Sequence, residues 1–192
     1  MQTQKDEVKN SIIIAAIDEF LVCGYENSSM RVIAANAGIT VGNIYSYFSG
    51  KDELFETIVL PTVKQIQGLI LMKLSTDNTI TPASSMEVTS QIMNAFLNHR
   101  EEFLILMNSA KGSKYETIKS VIQHRIKERL IVDLIPRLHV QVENEILADT
   151  LSLVLLDGII NIVLKSENDE ILMSKLISDF LILVFGNIEE RL

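Results

Sequence analysis

Ser28-Ser29-Met30-Arg31-Val32-Ile33-Ala34-Ala35-Asn36-Ala37-Gly38-Ile39-Thr40-Val41-Gly42-Asn43-Ile44-Tyr45-Ser46-Tyr47-Phe48 reads as a helix, a sharp turn and a second, shorter helix. The hydroxyl of Ser28 or Ser29 is placed to accept an amide hydrogen bond at the open start of the first helix. Ile33 and Ala34 face inward, and the small Ala34 lets a neighbouring helix come close. Gly38 permits a turn that a residue with a β-carbon would resist. Thr40 caps the second helix, from which Ile44 and Phe48 pack inward. Thr40, Asn43, Tyr45, Ser46 and Tyr47 are left for an outer face. A polar and aromatic surface on a short second helix suits a DNA major groove and the phosphates beside it.

Upstream, residues 8–23 set Ile12, Ile13, Ala16, Ile17, Phe20 and Leu21 at spacings of three and four, which predicts one wide apolar helix face. Gly24 is its expected stop. Downstream, Ser49 with Asp52 resembles a capping pair. It opens a helix expected to reach about Leu74, with Pro61 bending it or removing one backbone bond. After the polar stretch 75–81, Pro82 suits a first helical turn. Further helices are expected over 83–98, 100–110, 114–135, 142–165 and 169–189, with breaks at Gly112, Pro136 and Ser166-Glu167-Asn168-Asp169. The prediction is an all-α chain of about nine helices, with a compact first quarter followed by a helical bundle.

The 192 residues are 47% hydrophobic and 22% charged, which supplies a core and excludes disorder as the main state. Eight Gly and three Pro leave few turn residues for a strand-rich fold. Seventeen Lys and Arg against 25 Asp and Glu give a net charge of -8. That balance argues against nucleic-acid binding through bulk charge but leaves room for a small local site. The single cysteine, Cys23, excludes an intramolecular disulfide and a Cys-pair zinc site, and fits a reducing cytoplasm. The amino terminus is polar and acidic, unlike a signal peptide. The later apolar stretches are broken by Asp157, Asn161 and Lys165 or end at Gly186, and are expected to be too short to span a membrane. A cytoplasmic protein is the expectation.

From about Ile12 to Phe55 the sequence resembles the TetR family of bacterial transcriptional regulators. The resemblance lies in Ile12, Ala16, Phe20, Gly24-Tyr25, Ser28-Ser29-Met30-Arg31, Ile33-Ala34, Ala37-Gly38-Ile39-Thr40, Gly42-Asn43-Ile44-Tyr45, Tyr47-Phe48, Lys51 and Leu54-Phe55. It implies a three-helix DNA-binding domain over residues 1–50 and a helical effector-binding and dimerisation domain over 51–192. The implied function is a ligand-responsive regulator, usually a repressor, that holds a palindromic operator as a homodimer and leaves it when a small-molecule effector binds. Carried over by position, the DNA contacts would be Ser28, Ser29, Thr40, Val41, Gly42, Asn43, Tyr45, Ser46, Tyr47 and Lys51. Ser28, Thr40 and Lys51 would meet phosphates, Gly42 would let the backbone approach closely, and Asn43, Tyr45 and Tyr47 would lie in the groove or on the backbone. Gly42 and Tyr45 read equally as packing residues, whereas Tyr47 and Lys51 show little structural reason for their places.

One departure concerns charge. Many family members carry a basic residue just before the recognition-helix glycine, where this chain has Val41. Residues 1–52 hold four cations, Lys5, Lys9, Arg31 and Lys51, against six carboxylates, so counterion release should contribute modestly to affinity. Lys5 and Lys9 read as solvated charges, or as an arm reaching the DNA backbone. In the second domain, Met93, Phe96, Phe103, Met107 and Tyr115 read as ordinary core or as apolar walls of an effector pocket. Asn108 and Asn161 read as groups that would orient a polar part of the ligand. The two carboxy-terminal helices carry more apolar surface than a monomer needs and are expected to form the homodimer interface.

His124 with Glu128 and His139 with Glu143 have the spacing of ligand pairs on one helix face. No H-E-x-x-H or di-iron pattern accompanies them, and such pairs are routine on exposed helices, so no metal and no cofactor is expected. No catalytic triad or phosphate-binding Gly loop is visible, and an enzyme is not expected. Cys23 is expected to be a partly buried structural thiol. The alternative reading is a helical small-molecule binder or enzyme of the same fold that no longer reads DNA. The acidic first domain and Val41 support it, and the retained Gly42, Tyr45, Tyr47 and Lys51 oppose it.

Overall fold

A computed structural model of the chain describes residues 2–71, 99–135, 144–167 and 169–185. Every regular element among them is helical: α1 (Gln2–Asn27), α2 (Met30–Asn36), α3 (Val41–Ile44), α4 (Lys51–Leu71), α5 (Arg100–Asn108), α6 (Ile118–Arg129), α7 (Asn144–Lys165) and α8 (Glu170–Phe185). One π turn, Leu130–Leu134, continues α6. The helix expected over 83–98 lies outside the described residues. Two compact units are present, Met1–Lys64 with His99–Ile118, and Gln65–Asn98 with Lys119–Leu192.

In the first unit, α1 breaks where glycine permits it. Gly24 has φ 73° and ψ 163°, a region that residues with a β-carbon avoid. The helix begins at Gln2, earlier than the apolar periodicity suggested. Its polar first turns place the Lys5 ammonium 6.0 Å from the centre of the Tyr47 ring and that of Lys9 5.8 Å from the Phe48 ring. Ile12, Ala16 and Phe20 of α1 are buried together with Ile33, Ala34, Ile44, Phe48, Leu54 and Phe55. The Phe55 ring meets Phe20 and Tyr25 edge to face, at centroid distances of 5.0 and 4.9 Å. Pro61 sits inside an unbroken α4.

The segment 109–117 was expected to be partly helical, but α6 starts only at Ile118. Before it the chain is held against α1 and α4. The Tyr25 amide donates to the Ser109 carbonyl at 2.8 Å, Lys111 pairs with Glu26 at 2.9 Å, and Lys114 pairs with Glu56 at 2.5 Å. These long-range partners compete with a local helix.

In the second unit, Lys119 pairs with Asp157 at 2.8 Å and Lys127 with Asp149 at 3.5 Å. A step of eight residues forward on α6 matches a step of eight back on α7, so the two helices run antiparallel. Gly158 of α7 lies under the Phe180 ring of α8, so closely that an added β-carbon would collide with the ring. Within Glu145–Lys165 an 18-residue stretch has a mean hydropathy of 1.9, a value that a membrane span and an apolar core helix share, although Asp149, Asp157 and Asn161 interrupt it. Asp149 and Asp157 of that helix are engaged by the lysines of α6.

Candidate nucleic-acid interface

The helix-turn-helix is built as its residue types dictate. Ser29 caps α2, its hydroxyl oxygen accepting from the amides of Arg31 at 3.2 Å and Val32 at 3.4 Å. Ser28, the other capping candidate, is buried and donates instead to the Tyr25 carbonyl at 2.8 Å. α2 ends in a Schellman arrangement: Gly38 at φ 70°, its amide on the Ala35 carbonyl, and the Ile39 amide on that of Ala34. Thr40 caps α3 through the Asn43 amide at 3.2 Å.

α3 buries Ile44 and turns the rest of its surface outward. Val41, Gly42, Asn43, Tyr45 and Ser46 are exposed, and Tyr47 is half-buried. Ser46 donates to the carbonyl of Asn43 at 2.7 Å and lies 3.3 Å from its side-chain oxygen. An added β-carbon at Gly42 would meet nothing within 4 Å, and its φ is not positive. Among the described residues, neither packing nor backbone strain therefore requires glycine there. Tyr45, at 51% exposure, is likewise not a packing residue.

Lys51 has a structural reason for its place, contrary to the expectation from sequence. Its ammonium donates to the carbonyls of Tyr25 at 2.6 Å, Ser28 at 3.0 Å and Glu26 at 3.4 Å, and stands 4.4 Å from the centre of the Tyr25 ring. These carbonyls belong to the end of α1 and the link to α2, and that of Tyr25 also accepts from the amide and hydroxyl of Ser28. The capping pair at α4 also differs from expectation. Ser49 donates its amide and hydroxyl to Glu53, at 2.7 and 2.6 Å, while Asp52 accepts from the Tyr25 hydroxyl. The hydroxyl and amide of Ser49 hold the Glu53 carboxyl below its usual range, and nearby Lys9 adds to this. Burial, then the hydrogen bond and the charge of Asp52, push the Tyr25 phenol up to about 12.

Sequence reasoning also missed Glu19, a buried carboxylate that accepts from the Ser29 amide at 3.3 Å and so fixes the start of α2. Its spacing from Ile12 and Ala16, seven and three residues on, places it on the buried arc of α1. A carboxylate there was the available signal.

Of the residues named for an effector, four lie in the first unit and Asn161 in the second. Phe103 and Met107 are buried on α5 in the first unit, where Asn108 is exposed. Tyr115, in the same unit, sets its ring 6.3 Å from Phe55 and its hydroxyl 3.4 Å from Glu56. Asn161 is exposed on α7 in the second unit, and Met93 and Phe96 lie outside the described residues. His124 and Arg125 both reach Glu128, at 3.4 and 2.8 Å. Among the described residues no third ligand-type side chain joins them, and His139 with Glu143 lies outside those residues. Cys23 is exposed, not partly buried, because it sits on the outer side of α1 just before the break.

A capped helix, a Schellman turn and a second short helix with an open outer face make up a helix-turn-helix. Residues 12–58 match the family described as bacterial regulatory proteins, tetR family. Over those residues the chain is similar to that family of regulators. It is 34% identical over 59 residues to an uncharacterized HTH-type transcriptional regulator, YhgD, of Bacillus subtilis (strain 168), a match covering 31% of each chain. Its fold is similar to that of the TetR family transcriptional regulator PfmR from Thermus thermophilus, with a TM-score of 0.61, 17% identity and coverage of 91% and 94% of the two chains. It is also similar to NalD, the secondary repressor of the MexAB-OprM multidrug efflux pump in Pseudomonas aeruginosa, with a TM-score of 0.53, 20% identity and coverage of 91% and 95%.

Proposed function

We propose that this chain is a homodimeric repressor that inserts α3 into the major groove of each half of a palindromic operator and is released by a small-molecule effector. Residues 1–50 would read DNA, and residues 51–192 would dimerise and bind the effector. The observation that carries the reading is Gly42, a glycine that nothing among the described residues requires, centred on an exposed helix face beside Thr40, Asn43, Tyr45 and Ser46. A missing side chain is explained by close approach of something outside the chain, and in a helix-turn-helix that is the DNA backbone.

The dimer contact is assigned to α7 and α8, whose outer faces expose Ile146, Leu153 and Val154, then Ile171, Leu172 and Leu176. Among the effector candidates, Met93, Phe96, Phe103, Met107 and Tyr115 would supply apolar surface and Asn108 or Asn161 polar contacts. The effector must bind the released state more tightly than the DNA-bound state, or it shifts nothing.

A gel shift with the DNA upstream of the chain's own gene tests the reading, using wild type and Gly42→Ala. Alanine is the better helix former by up to about 1 kcal/mol, so the variant should melt at or above the wild-type temperature while binding more weakly. Equal binding by the two proteins would remove Gly42 from the interface. No binding by wild type to that DNA or to a selected pool would favour the reading without DNA.

A further inference from the structure

We infer that Val41 reads thymine methyl groups, so that each operator half-site presents A·T pairs to α3. This rests on the DNA-reading function proposed above and adds what that function leaves open, the chemistry of the bases recognised.

The first support is what α3 lacks. Residues 40–47, Thr-Val-Gly-Asn-Ile-Tyr-Ser-Tyr, contain no Arg or Lys to make the bidentate contact to guanine, and no Asp or Glu to accept from the cytosine amino group. Asn43 is the one side chain of the exposed set that matches a base edge in two-point fashion, and that base is adenine.

The second support is what Val41 offers. It stands on the first turn of α3 with 41% of its surface open, beside a glycine with no side chain to hinder approach. In the major groove, the apolar feature that such a side chain can bury is the C5-methyl group of thymine.

Charge supplies the third. Three backbone carbonyls hold the Lys51 ammonium, which leaves Lys5, Lys9 and Arg31 as the other cations before it. With few phosphate contacts to supply sequence-independent affinity, base-edge contacts carry a larger share of binding.

The experiment begins by selecting binding sites for the full-length protein from a random duplex pool. Each thymine of the selected site is then replaced by deoxyuridine, which removes only the methyl group. The expected half-site carries A·T pairs at its reading positions. One thymine per half-site, when demethylated, should lower wild-type affinity by about fourfold, the worth of one buried methyl group. Val41→Ala should bind the unmodified site more weakly, keep its melting temperature, and be indifferent to that same replacement. A half-site read through G·C pairs overturns the inference. So does deoxyuridine that is tolerated everywhere, or that is penalised equally in Val41→Ala, and in each case the DNA-reading function stands. If no site is enriched, the DNA-reading function itself fails and takes the inference with it.

Discussion

The Lys51 ammonium lies 2.6 Å from the Tyr25 carbonyl and 3.0 Å from that of Ser28, closing the end of α1 with a charge-assisted contact. Lys51→Met should therefore lower stability in urea by about 1–2 kcal/mol, since hydrogen bonds to charged groups contribute on that scale and the site is partly open to solvent. Tyr47→Ala should leave the urea midpoint nearly unchanged and weaken operator binding. If Lys51→Met unfolds at the wild-type midpoint, its three carbonyl contacts do not hold the scaffold. The partner ring makes a separate prediction through pH. The Tyr25 phenol keeps its proton up to about 12 in the fold, against 10.0 when unperturbed. A group whose folded pKa is raised contributes stability that is complete below pH 10 and is lost as pH climbs from 10 to 12. Tyr25→Phe should be less stable than wild type at pH 8, by about 1–2 kcal/mol for a lost bond to a carboxylate, and should lose less between pH 9 and pH 12. Parallel alkaline declines in the two proteins would place the titrating group elsewhere.

At the scale of elements, three glycines do three different jobs, and alanine at each position separates them. Gly24→Ala forces a β-carbon into φ 73° and ψ 163°, a strain of about 1–3 kcal/mol. Gly38→Ala meets nothing within 4 Å, so only its φ of 70° costs, about 1 kcal/mol. Gly42→Ala should not destabilise at all. Thermal melts should rank Gly24→Ala lowest, Gly38→Ala next and Gly42→Ala at or above wild type, and any other order would contradict the backbone geometry. The same contrast explains what the sequence made legible. The cap at Thr40, the Gly38 turn and the inward Ile44 and Phe48 depend on neighbours within a few residues, so they were readable from the chain alone. The start of α6 was not, because 109–117 is drawn out of helix by Tyr25, Glu26 and Glu56, which lie far away in sequence. Lys51, Asp52 and Glu19 were misplaced or missed for that reason too. Their partners share a place in space through the turn after Gly24, and no spacing rule along one helix reveals it.

For the whole molecule, the open question is what covers α7 and α8. Twenty-two and sixteen residues make helices about 33 and 24 Å long. Their outer faces expose Ile146, Leu153 and Val154 on one and Ile171, Leu172 and Leu176 on the other. A stable interface takes about 800 Å² from each partner, and two such helices side by side present a surface on that order. Phe180 and Leu181 of α8 are poor probes of such a contact. Leu181 is in fact buried in its own protomer, and the Phe180 ring packs on Gly158, because that glycine leaves α8 room to approach. An aspartate at either position would test the protomer core. Leu172→Asp with Leu176→Asp is the cleaner probe, since both side chains face outward. The double variant should sediment as a folded monomer at micromolar concentration, with helical content retained. Its melting temperature should no longer rise with protein concentration, as that of a dimer does. Leu181→Asp should instead lose helical content or precipitate. Wild-type protein that sediments as a stable monomer at the same concentration would refute the dimer. A double variant that remains dimeric would move the contact to another face.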